Sequence, residues 1–338
     1  MPGIYALRRI QIGAMAALNG TTDIPTTYFR GTGVLDDLSE PVFPDEHVGI
    51  LGGVNRNYIP KTGGEIELEA DGASFEQLPY IFNAGIHSAT PTTDTNPGTG
   101  YIYTYNLQFS DTDPIASSDI TYLVVEAGNN QQAEIMRSGF VREFTLSGEQ
   151  GQALMLTAVV EGQAVSTTTF TSGLTVPTAE SILFSKSKIW IDPSSDTIAT
   201  TQKTATMLSM ELNLTTGWQA IPTGDGNLYF SSVKRVADEG ELQITFEHDA
   251  TSVAEIAHWR AGNERAIRIQ FEGSALTAAG AYTYKTLRLD LYGKWSEFEP
   301  LDESDGNDVV TGTFRIGYST GAAKKGTIIV VNELSALP

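Results

Sequence analysis

Polar and apolar residues alternate over residues 240–271 so as to set out a strand, a helix and a second strand. Leu242, Ile244 and Phe246 fall on one side of residues 241–247 and polar residues on the other, the period of two of a half-buried strand. Asp249 stands where a helix N-cap would, placed to accept a first-turn N–H and to complement the helix dipole. Val253, Ile256 and Ala257 follow at helical spacing, and Gly262 with Asn263 offers a stop. Ile267, Ile269 and Phe271 then alternate with Arg268, Gln270 and Glu272, which restores the strand period.

The same order occurs earlier in the chain. Gly64, Glu65, Ile66, Glu67 and Leu68 echo Gly240, Glu241, Leu242, Gln243 and Ile244. Asp71, Phe75 and Leu78 echo Asp249, Val253 and Ile256 after a two-residue shift in the turn, and Gly85 answers Gly262. A polar, glycine-containing turn at 146–151 leads into the β-prone run 153–160, as residues 302–308 lead into 309–318. A repeated order of this kind predicts a duplicated unit.

Further strands are expected at 101–109, 121–126, 135–146, 186–192, 208–214, 287–291 and 327–331. Residues 1–60 are broken by Pro25, Pro41, Pro44, Pro60 and several glycines, yet Tyr28, Phe29, Val42, Phe43, Ile50 and Leu51 are too apolar for a free tail. They read as an extended N-terminal arm and lead-in. Arg8 and Arg9 precede an apolar stretch that Gln11, Gly13 and Asn19 interrupt, which argues for a structural arm over a signal peptide. The Thr/Ser-rich residues 163–181 mark a boundary. The division expected is 1–60 lead-in, 61–170 first domain, 171–182 linker and 183–338 second domain. The fold class expected is mostly β: two tandem β-sandwich or partial-barrel domains, each with one short α-helix.

Composition narrows function. With Lys+Arg 21 against Asp+Glu 41 and a net charge of −20, no basic groove for phosphates is expected, though a path along which DNA slides without sticking remains open. The absence of cysteine removes disulfides, zinc–thiolate sites and thiol catalysis together. No apolar run is long enough for a membrane span.

Signatures of chemistry are few. His47, His87, His248 and His258 form no metal-binding spacing and read as surface or helix-flank residues. There is no nucleophile elbow, P-loop or dinucleotide fingerprint, so neither an enzyme nor a cofactor is expected. The acidic loop 302–308 offers oxygen ligands for Ca²⁺ but lacks the terminal Glu of an EF-hand loop; an acidic hairpin turn is the plainer reading. Trp190, Trp218, Trp259 and Trp295 could serve as sugar platforms, but their scatter suits packing better. Glu65, Glu67 and Glu69 share one face of one strand and repel each other, so that face must be well solvated. An exposed outer sheet face satisfies this, and so does a water-filled acidic channel, with Glu211 and Asp290 as counterparts in the second half.

Taken together, the duplicated β-rich unit, the acidic balance and the catalytic silence resemble the phage major tail proteins, the tail tube subunits of long, non-contractile-tailed phages. The residues that carry the resemblance are the run 140–151, from Phe140, Val141, Arg142, Glu143 and Phe144 to Gly151, with its following strand, and the series from Leu208 through Val309 to Glu333. The layout covers roughly residues 60–335; the Pro/Gly-rich lead-in before Gly64 has no match in the family pattern. The resemblance implies a virion structural protein made in the host cytoplasm, with sheets that join side by side into a β-barrel tube. It implies stacked rings, a trimeric ring of pseudo-sixfold symmetry for a two-domain chain, and DNA passing through without specific binding. Its implied partners are further copies of itself, the tape-measure protein, and tail terminator and tip proteins. Another phage module, a decoration or baseplate protein, is the alternative, and a carbohydrate-binding β-domain a more distant one.

Overall fold

The computed structural model describes residues 2–52, 55–94, 98–107, 119–194 and 197–337. The first half runs β1 (Arg9–Ala14), β2 (Thr27–Tyr28), β3 (Leu35–Asp37), β4 (Gly64–Ala70), α1 (Leu78–Gly85), β5 (Thr92–Thr93), β6 (Tyr101–Leu107), β7 (Leu123–Gly128), β8 (Ala133–Glu149), β9 (Met155–Gly162) and β10 (Val165–Thr168). The second half runs β11 (Ser187–Pro193), β12 (Gln202–Lys203), β13 (Met207–Thr215), β14 (Trp218–Ile221), β15 (Ser232–Arg235), β16 (Glu239–Glu247), α2 (Ala250–Arg260), β17 (Arg265–Ala275), β18 (Tyr284–Phe298), β19 (Asp302–Ser304), β20 (Asn307–Ile316) and β21 (Gly326–Asn332). Among the described residues the fold is mostly β with two α-helices, and its sheets do not close on themselves.

Strand pairing repeats between the halves. In the first, β1 pairs with β2 and β7, β7 with the start of β8, β8 with β10 and then β9, β9 with β4, and β4 with β3. In the second, β11, β12, β17, β18, β21, β20, β16 and β13 repeat those pairings in the same order. The long strands β8 and β18 carry the match to single residues. Each bends at a glycine, Gly139 or Gly293, and passes from one sheet to another. Each then bulges at the same place, between Val141 and Glu143 in β8 and between Trp295 and Glu297 in β18. Through these anchors Gly64 and Glu65 occupy the places of Gly240 and Glu241, as the shared residues suggest.

The second half of β8 pairs with β13, so the halves share one eight-stranded sheet in the order β3–β4–β9–β8–β13–β16–β20–β18. Ile66, Leu68, Phe144, Leu146, Leu212, Ile244 and Phe314 line its buried side and belong to a single core running through both halves. Flanking sheets cover that core. One is β2–β1–β7–β8–β10; the other is β12–β11–β17–β18–β21–β6–β5, in which β6 comes from the first half.

The helices differ more than the repeated sequence suggests. Asp249 caps α2 as expected, accepting from the Thr251 and Ser252 N–H groups, while Ser252 Oγ accepts from Asp249 N–H in return. At the other end Gly262, at φ +66°, donates to Trp259 O and Asn263 donates to His258 O, a Schellman stop. Its buried side is not the expected one: Val253 is 51% exposed, whereas Ser252 and Glu255 are buried. Asp71 caps nothing, because α1 begins seven residues later at Leu78, with Pro79 in its first turn. All eight residues of α1 are buried. Phe82 packs on Phe144 at 5.2 Å on one side and on Tyr105 of β6 at 5.3 Å on the other.

The lead-in is more regular than expected. Ile10, Gln11 and Ile12 are all buried in β1, so two of the interruptions in this apolar stretch, Gln11 and Gly13, belong to a strand covered on both faces, while Asn19 lies beyond it and is exposed. The last two residues of the strand expected at 101–109 lie outside the described residues.

Candidate functional site

The exposed face of the eight-stranded sheet is the candidate site. Residues directly opposite in a ladder share a face, so the registers trace rows across it. One row reads Glu69, Thr157, Thr145, Asn213, Glu241, Arg315, Lys294. A second reads Met155, Ser147, Glu211, Gln243, Thr313, Glu297, and a third begins Glu67, Val159, Glu143, Thr215, Glu239. Glu65, Glu67, Glu69 and Glu211 therefore lie on one continuous surface that crosses both halves, although some 140 residues separate the first three from the fourth.

Asp290 departs from them. It lies on β18 before the bend at Gly293, in the flanking sheet, where Leu289 and Leu291 take the core side. There it is buried and held by Arg268 through Nε at 2.5 Å and NH2 at 2.8 Å, with Arg288 Nε at 3.3 Å. The strand has the same alternation before and after Gly293, so periodicity alone does not reveal that it changes sheets.

Sequence reasoning missed Glu161, Glu143, Glu239 and Glu297, and the cations among them. Arg142 stands at the β8 bulge, 3.4 Å from Glu65, 3.7 Å from Glu143 and 4.0 Å from Glu161. Burial pushes the Glu161 carboxyl up from its ordinary range; Arg142 and Lys61 oppose this, and Glu65 adds to it. The alternation of β16 was signal enough for Glu241, whereas Glu161 reaches this face only through its ladder with Glu65, and an isolated bulge residue such as Arg142 leaves no signal.

Among the described residues no further strand pairs with either margin of this sheet, although on one of them the Trp259 Nε1–H donates to Ser296 O at 3.2 Å. On one side the edge runs from Thr32, which exchanges hydrogen bonds with Glu69 at 2.7 and 2.9 Å, to Leu38, whose N–H reaches Gly63 O at 3.0 Å. On the other it runs along the second half of β18 and on through β19. These are the same two kinds of edge that meet inside the chain where β8 pairs with β13.

The connection from β3 to β4 exposes Leu38, Val42, Phe43, Val48, Ile50, Leu51, Tyr58 and Ile59. In the second half the connection in the same position forms the β14–β15 hairpin and folds back instead. Its Trp218, Phe230 and Val233 pack with Val124, Ile135 and Phe140 on the outer side of the first half. Of the remaining tryptophans Trp295 is buried and Trp259 packs 5.8 Å from Phe298.

The acidic loop at 302–308 is a hairpin joining β19 to β20, with Asp305 and Gly306 both at positive φ and the Gly306 N–H donated to Glu303. Among the described residues no group of three or more His, Asp or Glu could hold a metal ion, and no helix is long and apolar enough to cross a membrane.

Residues 58–318 match the family model described as phage tail tube protein. No curated protein matches the chain.

Proposed function

The chain belongs to the phage tail tube protein family, a structural component of the virion tail, and we propose that it is the major tube subunit, carrying two tube domains on one polypeptide. The domains are residues 61–170 and 183–338, joined by 171–182, and three copies close a ring of pseudo-sixfold symmetry. The observation that carries this reading is the pairing of β8 with β13. It joins two halves of like topology edge to edge, and the outer ends of the shared sheet offer the same two kinds of edge again. Such a head-to-tail contact closes into a ring when the rotation per copy fits, and pairing these margins also removes an aggregation hazard.

In the ring the acidic face, with Glu65, Glu67, Glu69 and Glu211, lines the bore. Fixed carboxylates repel DNA phosphates over a screening length of about 8 Å at physiological salt, which keeps the duplex centred and unbound. Rings stack through the apolar connection 38–59, whose exposed side chains need a neighbour. The tape-measure protein fills the bore before DNA does, and terminator and tip proteins complete the two ends. Negative-stain electron microscopy of the purified protein tests the whole reading. Rings and stacked tubes are the expected result; monomers or discrete closed particles at high protein concentration would overturn it.

A further inference from the structure

We infer that successive copies join with Leu38 of one opposite Glu297 of the next, Asp37 opposite Phe298 and Asp36 opposite Glu299, and that facing carboxylates make this joint weaker than the one inside the chain. The inference rests on the ring reading above and deepens it.

The chain supplies its own template. At the internal joint Thr215 lies opposite Glu143, Leu214 opposite Phe144 and Asn213 opposite Thr145. The matched bulges equate Glu143 with Glu297 and Phe144 with Phe298. The β4 and β16 registers equate Ile66 with Leu242, and through them Asp36 with Asn213, Asp37 with Leu214 and Leu38 with Thr215. Backbone directions agree independently. The Leu38 N–H turns inward to Gly63 O at 3.0 Å and the Glu299 N–H turns inward to Thr311 O at 2.9 Å. Alternate residues of an antiparallel strand turn opposite ways, so Asp37 and Phe298 turn outward, and the register sets these two against each other.

Two differences set the joints apart. At the internal one, Thr145 Oγ1 donates to Asn213 Oδ1 at 2.6 Å. At the external one, the same place holds Asp36 and Glu299, like charges directly opposite, which destabilise a pair. Glu65, opposite Asp36 on β4, adds a third carboxylate, with Arg142 3.4 Å from it. Next along the edge, Pro300 stands where Leu146 stands inside the chain; lacking an N–H, it ends the ladder. The ring is therefore built to open between copies.

The chain has no cysteine, so introduced thiols report cleanly. In assembled protein under oxidising conditions, L38C/E297C is expected to link copies covalently on a non-reducing gel. T215C/E143C, the internal equivalent, should close within one chain. L38C/E299C, a two-residue slip beyond disulfide reach, should not link. Wild-type rings with a link in the slipped pair only, or in neither external pair, overturn the register and leave the ring reading standing; a wild type that forms no rings sinks both. Asp36→Asn with Glu299→Thr copies the internal pair and should lower the protein concentration for half-assembly about two- to five-fold at low salt. An unchanged concentration overturns the part assigned to charge.

Discussion

Glu255 of α2 grips Arg265 at the start of β17 with two hydrogen bonds, Oε1 to NH2 at 2.7 Å and Oε2 to Nε at 2.9 Å, both partners being closed to solvent. The Trp295 Nε1–H donates to the same carboxylate at 3.0 Å. This pair fixes the helix to the strand that follows it and explains why a charged residue occupies the buried side of α2. Removing one partner strands the other charge without solvent, so Glu255→Ala should destabilise the protein by about 3–5 kcal/mol. Replacing both by Leu should recover most of that loss. Urea unfolding of the two variants decides; equal losses would show that the pair itself, and not the stranded charge, carries the stability.

The raised carboxyl of Glu161 makes stability fall with rising pH. The folded state holds that proton more tightly than the unfolded chain does, so its contribution is complete in acid and lost as pH climbs through the ordinary Glu range to the raised value. Glu161→Gln cannot ionise. It should melt higher than the wild type at neutral pH and level with it in acid, as thermal scans at the two pH values would reveal. A gap that persists in acid would point to packing instead.

Charge reversal on the sheet face separates assembly from conduction. Lysine at positions 65, 67 and 69 should leave tubes intact by microscopy, because these side chains lie away from the core. DNA delivery should drop, since the wall would then attract phosphates. Normal infectivity in such a phage would remove these residues from the bore.

The two bends invite unequal tolerance. A Cβ on Gly293 would sit 2.0 Å from the Arg315 carbonyl oxygen, a backbone atom that cannot swing aside. On Gly139 it would meet Val160 Cγ1 at 3.0 Å and Leu123 O at 3.1 Å, contacts that a small shift relieves. Gly293→Ala should therefore cost more stability than Gly139→Ala, by about 1–3 kcal/mol. Chemical denaturation of the two single variants measures the difference.

The exposed connection between β3 and β4 should matter only to the assembled state. Phe43, Ile50 and Leu51 changed together to Ser should alter the monomer's unfolding free energy by about 0.5 kcal/mol at most. If rings stack through this segment, single rings should replace long tubes in micrographs. Tubes of normal length would move the stacking contact elsewhere.

Half-buried strands were the legible part of this fold. In β13 and β16 one face meets the core and the other meets water, and the alternation of Leu212 with Glu211, or of Ile244 with Gln243, follows directly. Strand β1 carries no such mark, since Ile10, Gln11 and Ile12 are all covered, and β2 and β3 are too short for any period. The acidic face was legible at Glu65, Glu67 and Glu69 because three carboxylates alternate in one strand. Its extension to Glu143, Glu161 and Glu239 depends on ladders between residues far apart in sequence. Asp290 shows the limit most clearly: its parity fits the acidic face, and only the bend at Gly293 removes it. Val253 shows the same limit on α2, where burial was decided by Arg265, beyond the helix, and not by hydropathy within it.

Strand β6 has a further consequence. It leaves the first half after α1 and completes the margin of the second by pairing with β21, from Tyr101 opposite Asn332 to Leu107 opposite Gly326. A gene fragment ending near residue 180 would yield a product whose β6 keeps only the short β5 as a partner, and one starting there would lack the strand that shields β21. The chain must therefore be made as far as β21 before β6 finds this partner, which couples the two halves in folding.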